Sequence, residues 1–198
     1  MVKSMSASTI AESADSSGHL YASLLADDWS RLHPNLVRAH SIGRGRRARG
    51  DFYFTRGDSF ISKLVLAVNR VPDAGAPVPT VLSITADARG EHWNRRFGDL
   101  PIRSFQRSHR EAQLIERFRF IEFTIAVRLQ ESGLVYESTS MSLCIGPLRI
   151  PVPTLFAAKV NAVETHRHLG TRVSVSVLFP GSRLLFSYAG ALDWEAQE

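Results

Sequence analysis

The chain has 198 residues, of which 44% are hydrophobic and 22% charged, and its formal net charge is +5 at pH 7. No apolar run approaches the roughly 20 residues of a membrane helix, and the single cysteine, Cys144, excludes an intrachain disulfide and a cysteine metal cage. No continuous apolar segment follows Lys3, so the N-terminus does not read as a secretory signal. These properties predict a globular protein without a membrane span, located in the cytoplasm.

The first third of the chain combines a polar tail with short helices. Residues 1–18 are rich in Ser and Ala, which predicts a disordered tail ahead of a single domain over residues 19–198. Leucines at helical spacing predict a short helix over 20–28. A second helix is predicted over 60–71 and ends at a Pro-Asp-Ala-Gly turn. Its predicted apolar stripe consists of Phe60, Leu64, Ala67 and Val71.

Arginines are concentrated in the segment 43–50, which is predicted to be a flexible basic loop before a strand over 51–56. This loop contains Arg44, Arg46, Arg47 and Arg49. A basic patch can meet nucleic acid or another anionic partner. No aromatic residues interleave with the arginines as a base-stacking platform requires, so we expect no nucleic-acid binding. Whether the loop binds another anionic partner stays open at this stage.

From Pro79 onward, the pattern is almost entirely that of strands. Alternating segments separated by turn residues predict strands over 81–86, 91–97, 102–107, 113–118, 121–129, 134–145 and 160–169. Two further runs, 171–179 and 183–192, flank a Pro-Gly turn and predict a hairpin with one apolar side. Prolines over 147–153 predict an edge strand or a loop. We therefore predict a mainly β fold, an antiparallel meander forming a barrel or strongly curved half-barrel with one or two short flanking helices.

Several short motifs, each present once, are spread along the chain. They are the Gly-Pro-rich segment 146–153, the Ala-Val-Glu run at 162–164, the final strand Tyr-Ala-Gly-Ala-Leu at 188–192, and the segments 20–34, 44–57, 93–98 and 116–118. With these motifs the chain resembles an uncharacterised bacterial domain-of-unknown-function family over roughly residues 20–194. The resemblance implies a domain found alone or appended to saccharopine-dehydrogenase-like NAD-binding domains. It implies no chemistry. The last strand of that family usually reads Tyr-Arg-Gly-Trp-Leu, so this chain differs at Ala189 and Ala191.

Two motifs match known sites but lack the surroundings that such sites need. Residues 43–48 fit the dinucleotide pattern G-x-G-x-x-A, but a strand is predicted to follow where a helix must hold the pyrophosphate. His166 and His168 share a strand face with Glu164. Neighbouring side chains on one strand face lie about 7 Å apart, which suits tetrahedral zinc poorly. We therefore predict no metal site and no cofactor.

Glu164 and Tyr188 are the polar residues that we predict as a candidate catalytic pair. A carboxylate in mid-strand that faces inward needs a partner, which makes Glu164 either an ion-pair partner of an arginine or an acid, base or ligand anchor. Tyr188 follows Phe186 on one strand face, and Gly190 opens space beside its ring. Together the pair would hold or polarise a carbonyl or enol, and the structural alternative is that it braces the barrel.

Two other strand faces mix polar and apolar residues. Arg95 lies between Trp93 and Phe97, where it either stacks on the outer surface or reaches inward to an acidic group. On the strand 134–145, Tyr136 shares a face with serines. We favour that face as the solvent side, which assigns to the core Val135, Thr139, Met141, Leu143 and Ile145.

The predicted apolar interior leads to the functional hypotheses. Its ligand-binding lining is predicted to consist of Phe52, Phe54, Trp93, Arg95, Phe97, Phe123, Ile125, Val127, Val175, Val177 and Phe186. One hypothesis is a cofactor-independent cyclase or isomerase of specialised, polyketide-like metabolism that shapes a hydrophobic substrate. The alternatives are a non-catalytic carrier of a lipid or other hydrophobic ligand, and an interaction module for a dehydrogenase. The expected partner is an apolar small molecule, and a homodimer stays open.

Overall fold

The computed structural model of the protein describes residues 20–43, 45–68, 71–110, 112–131, 133–181 and 183–196. The predicted tail over 1–18 lies outside the described residues. The helical segments are α1 (Leu20–Leu25), a 3₁₀ segment (Ala26–Arg31), α2 (Pro34–His40) and α3 (Phe60–Val68). The strands are β1 (Arg46–Arg56), β2 (Val78–Asp87), β3 (Gly90–Phe97), β4 (Leu100–Arg110), β5 (Gln113–Arg117), β6 (Ile121–Gln130), β7 (Gly133–Ile145), β8 (Leu148–Pro151), β9 (Lys159–Arg167), β10 (Gly170–Phe179) and β11 (Arg183–Trp194).

Ten of these strands close into an antiparallel barrel, which confirms the predicted fold class. Strands β1 to β7 pair in chain order, β7 pairs with β9, and β9, β10 and β11 follow before β11 returns to β1. The short β8 pairs with the end of β7 as a hairpin outside this ring, in agreement with the edge predicted from the prolines. Closure leaves no open sheet edge among the ten barrel strands, and this removes the usual site of edge-to-edge aggregation.

The interior of the barrel is set by alternation along each strand. On β1, the buried residues Ala48, Phe52 and Phe54 lie on one face, and exposed residues lie between them. Opposite them on β11 stand Gly190, beside Phe52, and Tyr188, beside Phe54. A Cβ atom at Gly190 would lie 2.6 Å from Cγ of Phe52, so only glycine lets the Phe52 ring pack there. The predicted period of two therefore defines the inward side of each strand.

Helices α1 and α2 lie at the end of the barrel where β1 begins and β11 ends. Helix α1 packs on β4 and β6, and α2 packs on β9 and β10. Pro34 opens α2, and Nδ1 of His33 caps it by accepting a bond from the Asn35 N–H at 3.2 Å. Tyr21 of α1 and His40 of α2 are 1% exposed and join the barrel core. No described helix is long and apolar enough to cross a membrane.

Three local predictions are wrong. The segment predicted as a basic loop contains the start of β1, where Arg46 is buried and Arg47 exposed, because Arg46 falls on the inward side of the alternation. In α3, Phe60 is 81% exposed, and among the described side chains of this helix Ser62 and Leu66 are buried. Ser62 Oγ donates a hydrogen bond to the Leu184 carbonyl of β11, which turns this face toward the barrel. Of the predicted stripe, the Leu64 side chain lies outside the described ones, and Val71 packs half-buried against the core. Ala67 of the predicted stripe is exposed as well.

The third wrong prediction concerns β7, whose two faces exchange roles along the strand. Tyr136 pairs with buried Val127 and faces the interior, whereas Val135 faces outward. A register shift opposite Thr124 then reverses the alternation, so that Met141 pairs with Phe123 on the inward side. Beyond it, Ile145 is 64% exposed. A strictly alternating pattern could not anticipate this bulge, because one inserted residue exchanges the two faces.

Candidate functional site

The barrel interior is densely packed on one side and accessible on the other. Inward residues of β1, β2 and β6 are buried, among them Phe52, Ile84 and Val127. Along β9 to β11, seven inward side chains are half-buried although they lie inside a closed ring of strands, and these are Val160, Ala162, Val173, Val175, Val177, Phe186 and Tyr188. We call these seven side chains the apolar wall. Glu164, Thr171 and Leu192, on the same inward face toward the end bearing α2, are buried.

A hydrogen-bonded group of three side chains lies next to this wall. Oε2 of Glu164 accepts a bond from the Tyr136 hydroxyl at 3.1 Å and lies 2.9 Å from Nε2 of His40. Glu164 is 7% exposed and His40 1% exposed, so water does not screen the ion pair. The Tyr21 ring packs on the imidazole with a centroid distance of 3.8 Å, which fixes the ring plane of His40.

The charge of Glu164 is stabilised by these partners. Desolvation by burial acts to raise the pKa of the Glu164 carboxyl, but the positive charge of His40 and the hydrogen bonds from His40 and Tyr136 outweigh it. The pKa of Glu164 is therefore lowered from its ordinary value. Burial, together with the nearby charge of Glu164, keeps Tyr136 protonated by raising its pKa well above the ordinary value. Tyr136 is thus a hydrogen-bond donor at neutral pH.

A second buried ion pair crosses from β3 to β5. Nη2 of Arg95 lies 3.1 Å from Oε1 of Glu116, and Nη1 donates to Ser104 Oγ at 2.8 Å. Ser104 in turn donates to Oε1 of Glu116 at 2.6 Å. The guanidinium also lies 4.7 Å from the Trp93 ring centroid. Of the two alternatives for Arg95, the structure has the inward one, with an acidic partner.

Several buried polar atoms of the interior have no hydrogen-bond partner among the described residues, and two of them belong to Glu91 and His40. Trp93 Nε1 donates to Oε2 of Glu91 at 3.0 Å, but Oε1 of Glu91 accepts no bond. Nδ1 of His40 also has no partner. Desolvation raises the pKa of Glu91, even though the charge of His40 and the bond from Trp93 act in the opposite direction. Unpaired buried polar atoms are uncommon in folded proteins, and each calls for an explanation such as a bound water, a bound ion or a functional role.

Tyr188 lies in an aromatic cluster rather than beside Glu164. Its ring centroid is 5.2 Å from that of Phe97 and 5.4 Å from that of Phe54. Burial raises the pKa of the Tyr188 phenol, the charge of Arg95 opposes this shift, and the charge of Glu116 adds to it. The two predicted polar residues therefore belong to separate groups: Glu164 to the histidine pair and Tyr188 to the side of the barrel near Arg95.

The predicted site residues all lie on the inward side, but they differ in accessibility. Phe52, Phe54, Trp93, Phe97, Phe123, Ile125 and Val127 are buried in the packed core, and Arg95, Val175, Val177, Phe186 and Tyr188 are half-buried. The expected partner of Glu164 was an arginine, and the structure supplies His40 instead. Glu91 and Glu116 were not predicted as site residues, although each shares a strand face with apolar residues. That pattern indicates a carboxylate on the inward side of a strand.

Potential metal ligands do not cluster in the structure. Among the described residues, no group of three or more His, Cys, Asp or Glu side chains is placed to hold a metal ion. His166 instead stacks on His33 of the α2 cap, with centroids 3.8 Å apart and planes inclined by 11°. Cys144 is buried and has a free thiol.

Comparison with known proteins identifies one family. The sequence profile of a domain of unknown function (DUF4166) matches residues 32–192. This range contains nine of the ten barrel strands whole and β11 as far as Leu192. It includes both members of the His40–Glu164 pair, but not Tyr21. No curated protein and no solved structure matches the chain.

Proposed function

The chain belongs to the DUF4166 family, and we propose that it binds a hydrophobic small molecule inside its barrel. The observation that carries this proposal is the half-buried apolar wall of β9 to β11 within a closed ring of strands. Binding sites for small molecules are typically concave and apolar, with a few placed polar groups that fix the orientation of the ligand. His40–Glu164–Tyr136 and Arg95–Glu116 supply such groups here.

We place the entrance at the end of the barrel opposite α1 and α2, beside the β7–β8 hairpin; α3 packs on β1 and β11 at this same end. Large apolar side chains are exposed around that end, on β7, β8 and the turn before β9, and they are Ile145, Leu148, Leu155 and Phe156. Exposed clusters of this kind mark interaction sites. Inward-facing Val177 and Phe186, both half-buried, lie at the same end. A hydrophobic ligand would therefore pass from an apolar rim to an apolar wall.

Binding is tested with the uncharged fluorescent probe N-phenyl-1-naphthylamine and the full chain. Val175→Phe fills the interior beside Tyr188, since the two residues are paired across β10 and β11. We expect it to weaken probe binding by about tenfold or more. Ser174→Phe is the matched control, because the neighbouring Ser174 side chain is exposed on the outer face. Equal binding by both variants, each folded by circular dichroism, would refute an interior site.

A cofactor-independent isomerase or cyclase is the second candidate function. The observation that favours it is the buried His40–Glu164–Tyr136 group, in which Nδ1 of His40 has no partner. For this chemistry His40 would be neutral, with its Nε2–H donating to Glu164 and its Nδ1 lone pair accepting a proton from the carbon next to a carbonyl. The Tyr136 hydroxyl would turn from Glu164 to donate its hydrogen bond to the resulting enolate. These are the elementary steps of cofactor-free isomerisation.

The enzymatic candidate is distinguished from a carrier by proton exchange on 2-tetralone in D₂O, followed by NMR. The enzyme should accelerate exchange at the carbon next to the carbonyl, and His40→Gln should lose the acceleration while retaining binding of the naphthylamine probe. If the proton-exchange rate equals the rate in buffer alone while probe binding is intact, the enzymatic candidate is refuted and the carrier function stands. The cytoplasmic location, a homodimer and a dehydrogenase partner stay predictions from the sequence.

A further inference from the structure

Arg46 is a buried cation whose Nε and Nη2 atoms have no acceptor among the described residues. It opens β1 on the inward side and is 7% exposed, and its Nε and Nη2 atoms are shielded from solvent with no hydrogen-bond partner. Its guanidinium lies 5.3 Å from the ring centroid of Trp194, whose own buried Nε1 also lacks a partner. Three buried donors with no acceptor therefore meet at one place, which is a costly arrangement for a folded protein.

The neighbouring charges do not supply the missing acceptor. Asp193 is paired with Arg167 at 3.3 Å, and Glu195 is paired with Arg49 at 2.8 Å. The nearby Arg38 is exposed and makes no ion pair in the described part of the chain. Desolvation, and then the positive charge of Arg38, lower the pKa of Arg46. Within the part of the chain that the structure describes, the positive charges of Arg46 and Arg38 therefore have no acidic partner.

A cleft of about 530 Å³ opens beside these groups. Its walls come from α2, the start of β1, the turn between β9 and β10, and the end of β11, and they include Asn35, Arg38, Arg46, His168, Leu169 and Trp194. Asp193 and Glu195 also line the cleft, but each is paired with an arginine that does not. Leu169 is 71% exposed, so the cleft offers an apolar surface next to the two guanidinium groups. The volume is within the range of small-molecule sites, which are about 300–1,000 Å³.

We propose that this cleft binds a small organic oxyanion, a carboxylate or a phosphate ester, with Arg46 and Arg38 as its charged donors. The planar fork of a guanidinium fits the paired oxygens of either group. Trp194 Nε1 adds a donor, while its ring and Leu169 support the organic part of the ligand. The cleft lies at the end of the barrel that bears α2, and its lining shares no residue with the apolar wall of β9 to β11, so this site is separate from the proposed interior site.

The first test is the thermal midpoint of the full chain with inorganic phosphate, phenyl phosphate or benzoate, against sodium chloride at equal ionic strength. A ligand that binds only the folded state raises the midpoint in a concentration-dependent way. We expect a rise with phenyl phosphate or benzoate that exceeds the rise with inorganic phosphate, because the ring packs on Trp194 and Leu169. The stronger of the two organic probes distinguishes a phosphate ester from a carboxylate. No rise above the chloride control with any probe would overturn the proposal.

Three variants assign the effect to the cleft. Arg46→Gln and Arg38→Gln should each weaken binding of the best probe by about tenfold or more, as expected for a lost charge-assisted hydrogen bond. Arg103→Gln is the matched control, since Arg103 is exposed on β4 and does not line the cleft. If Arg46→Gln does not fold, the exposed Arg38→Gln decides the result. Equal weakening by Arg103→Gln would show non-specific attraction and would overturn the proposal.

Discussion

Replacing Glu164 with glutamine should destabilise the barrel at neutral pH. The side chain keeps its shape, but His40 loses the negative partner at 2.9 Å, and Tyr136 donates to a neutral amide oxygen instead of a carboxylate. Hydrogen bonds to charged groups are worth about 1.5–3 kcal/mol, and breaking a buried ion pair costs about 3–5 kcal/mol. Since Gln still fills the volume, we expect the free energy of unfolding to fall by about 2–4 kcal/mol.

The dependence of this loss on pH follows from the lowered pKa of Glu164. A carboxyl whose pKa is lower in the folded state stabilises the protein above its unfolded pKa, which is about 4.3 for Glu. That contribution disappears as the pH falls through the folded pKa, which lies below the ordinary value. The difference between wild type and Glu164→Gln should therefore persist from pH 7 to about pH 4.3 and then shrink.

The assay is urea unfolding followed by tryptophan fluorescence at several pH values. The matched control is Glu137→Gln, because Glu137 is paired with Arg128 on the outer surface with its side chain 48% exposed. An exposed pair of this kind contributes about 0–1 kcal/mol. Equal unfolding midpoints for wild type and Glu164→Gln at pH 7 would refute the reasoning. So would a difference that is unchanged well below pH 4.3.

Two further substitutions test the interior in the same assay. Arg95→Met leaves Glu116 buried without its cation and should lower the free energy of unfolding by about 3–5 kcal/mol. The double variant with Glu116→Gln should recover part of this loss. An unchanged free energy of unfolding for Arg95→Met alone would contradict the stabilising role of the pair. Gly190→Ala brings a Cβ against Phe52 and should lower the free energy of unfolding by about 1–3 kcal/mol. The control Ala189→Ser changes an exposed residue and should leave the stability unchanged. Equal stability of the two variants would contradict the packing described at Gly190.

Strand periodicity carried most of the fold prediction. Alternation with a period of two identified the barrel strands because an interior-facing side chain must be apolar or paired at every second position. The start of β1 was missed because arginines obscure its alternation, with Arg46 inward and Arg47 outward. The outward face of α3 was misassigned because Phe60 is apolar yet exposed. Local pattern alone cannot tell such residues from core residues.

The candidate site was predictable only in part. Glu164 was recognisable as a carboxylate on an inward strand face, but its partner His40 lies 124 residues away on a helix. Pairings of this kind depend on how α2 packs against β9 and β10, and no local spacing encodes that packing. For Tyr136, the bulge opposite β6 reversed the faces of β7, so the alternation pointed to the wrong side.

The most direct test of an interior binding site is a crystal structure of the full chain with N-phenyl-1-naphthylamine. With an interior binding site, we expect density for the probe inside the ring of strands, against Val173, Val175 and Tyr188 of the apolar wall. Density for the probe only on the exposed apolar rim, at Leu155 and Phe156, with side chains filling the space beside that wall, would contradict it.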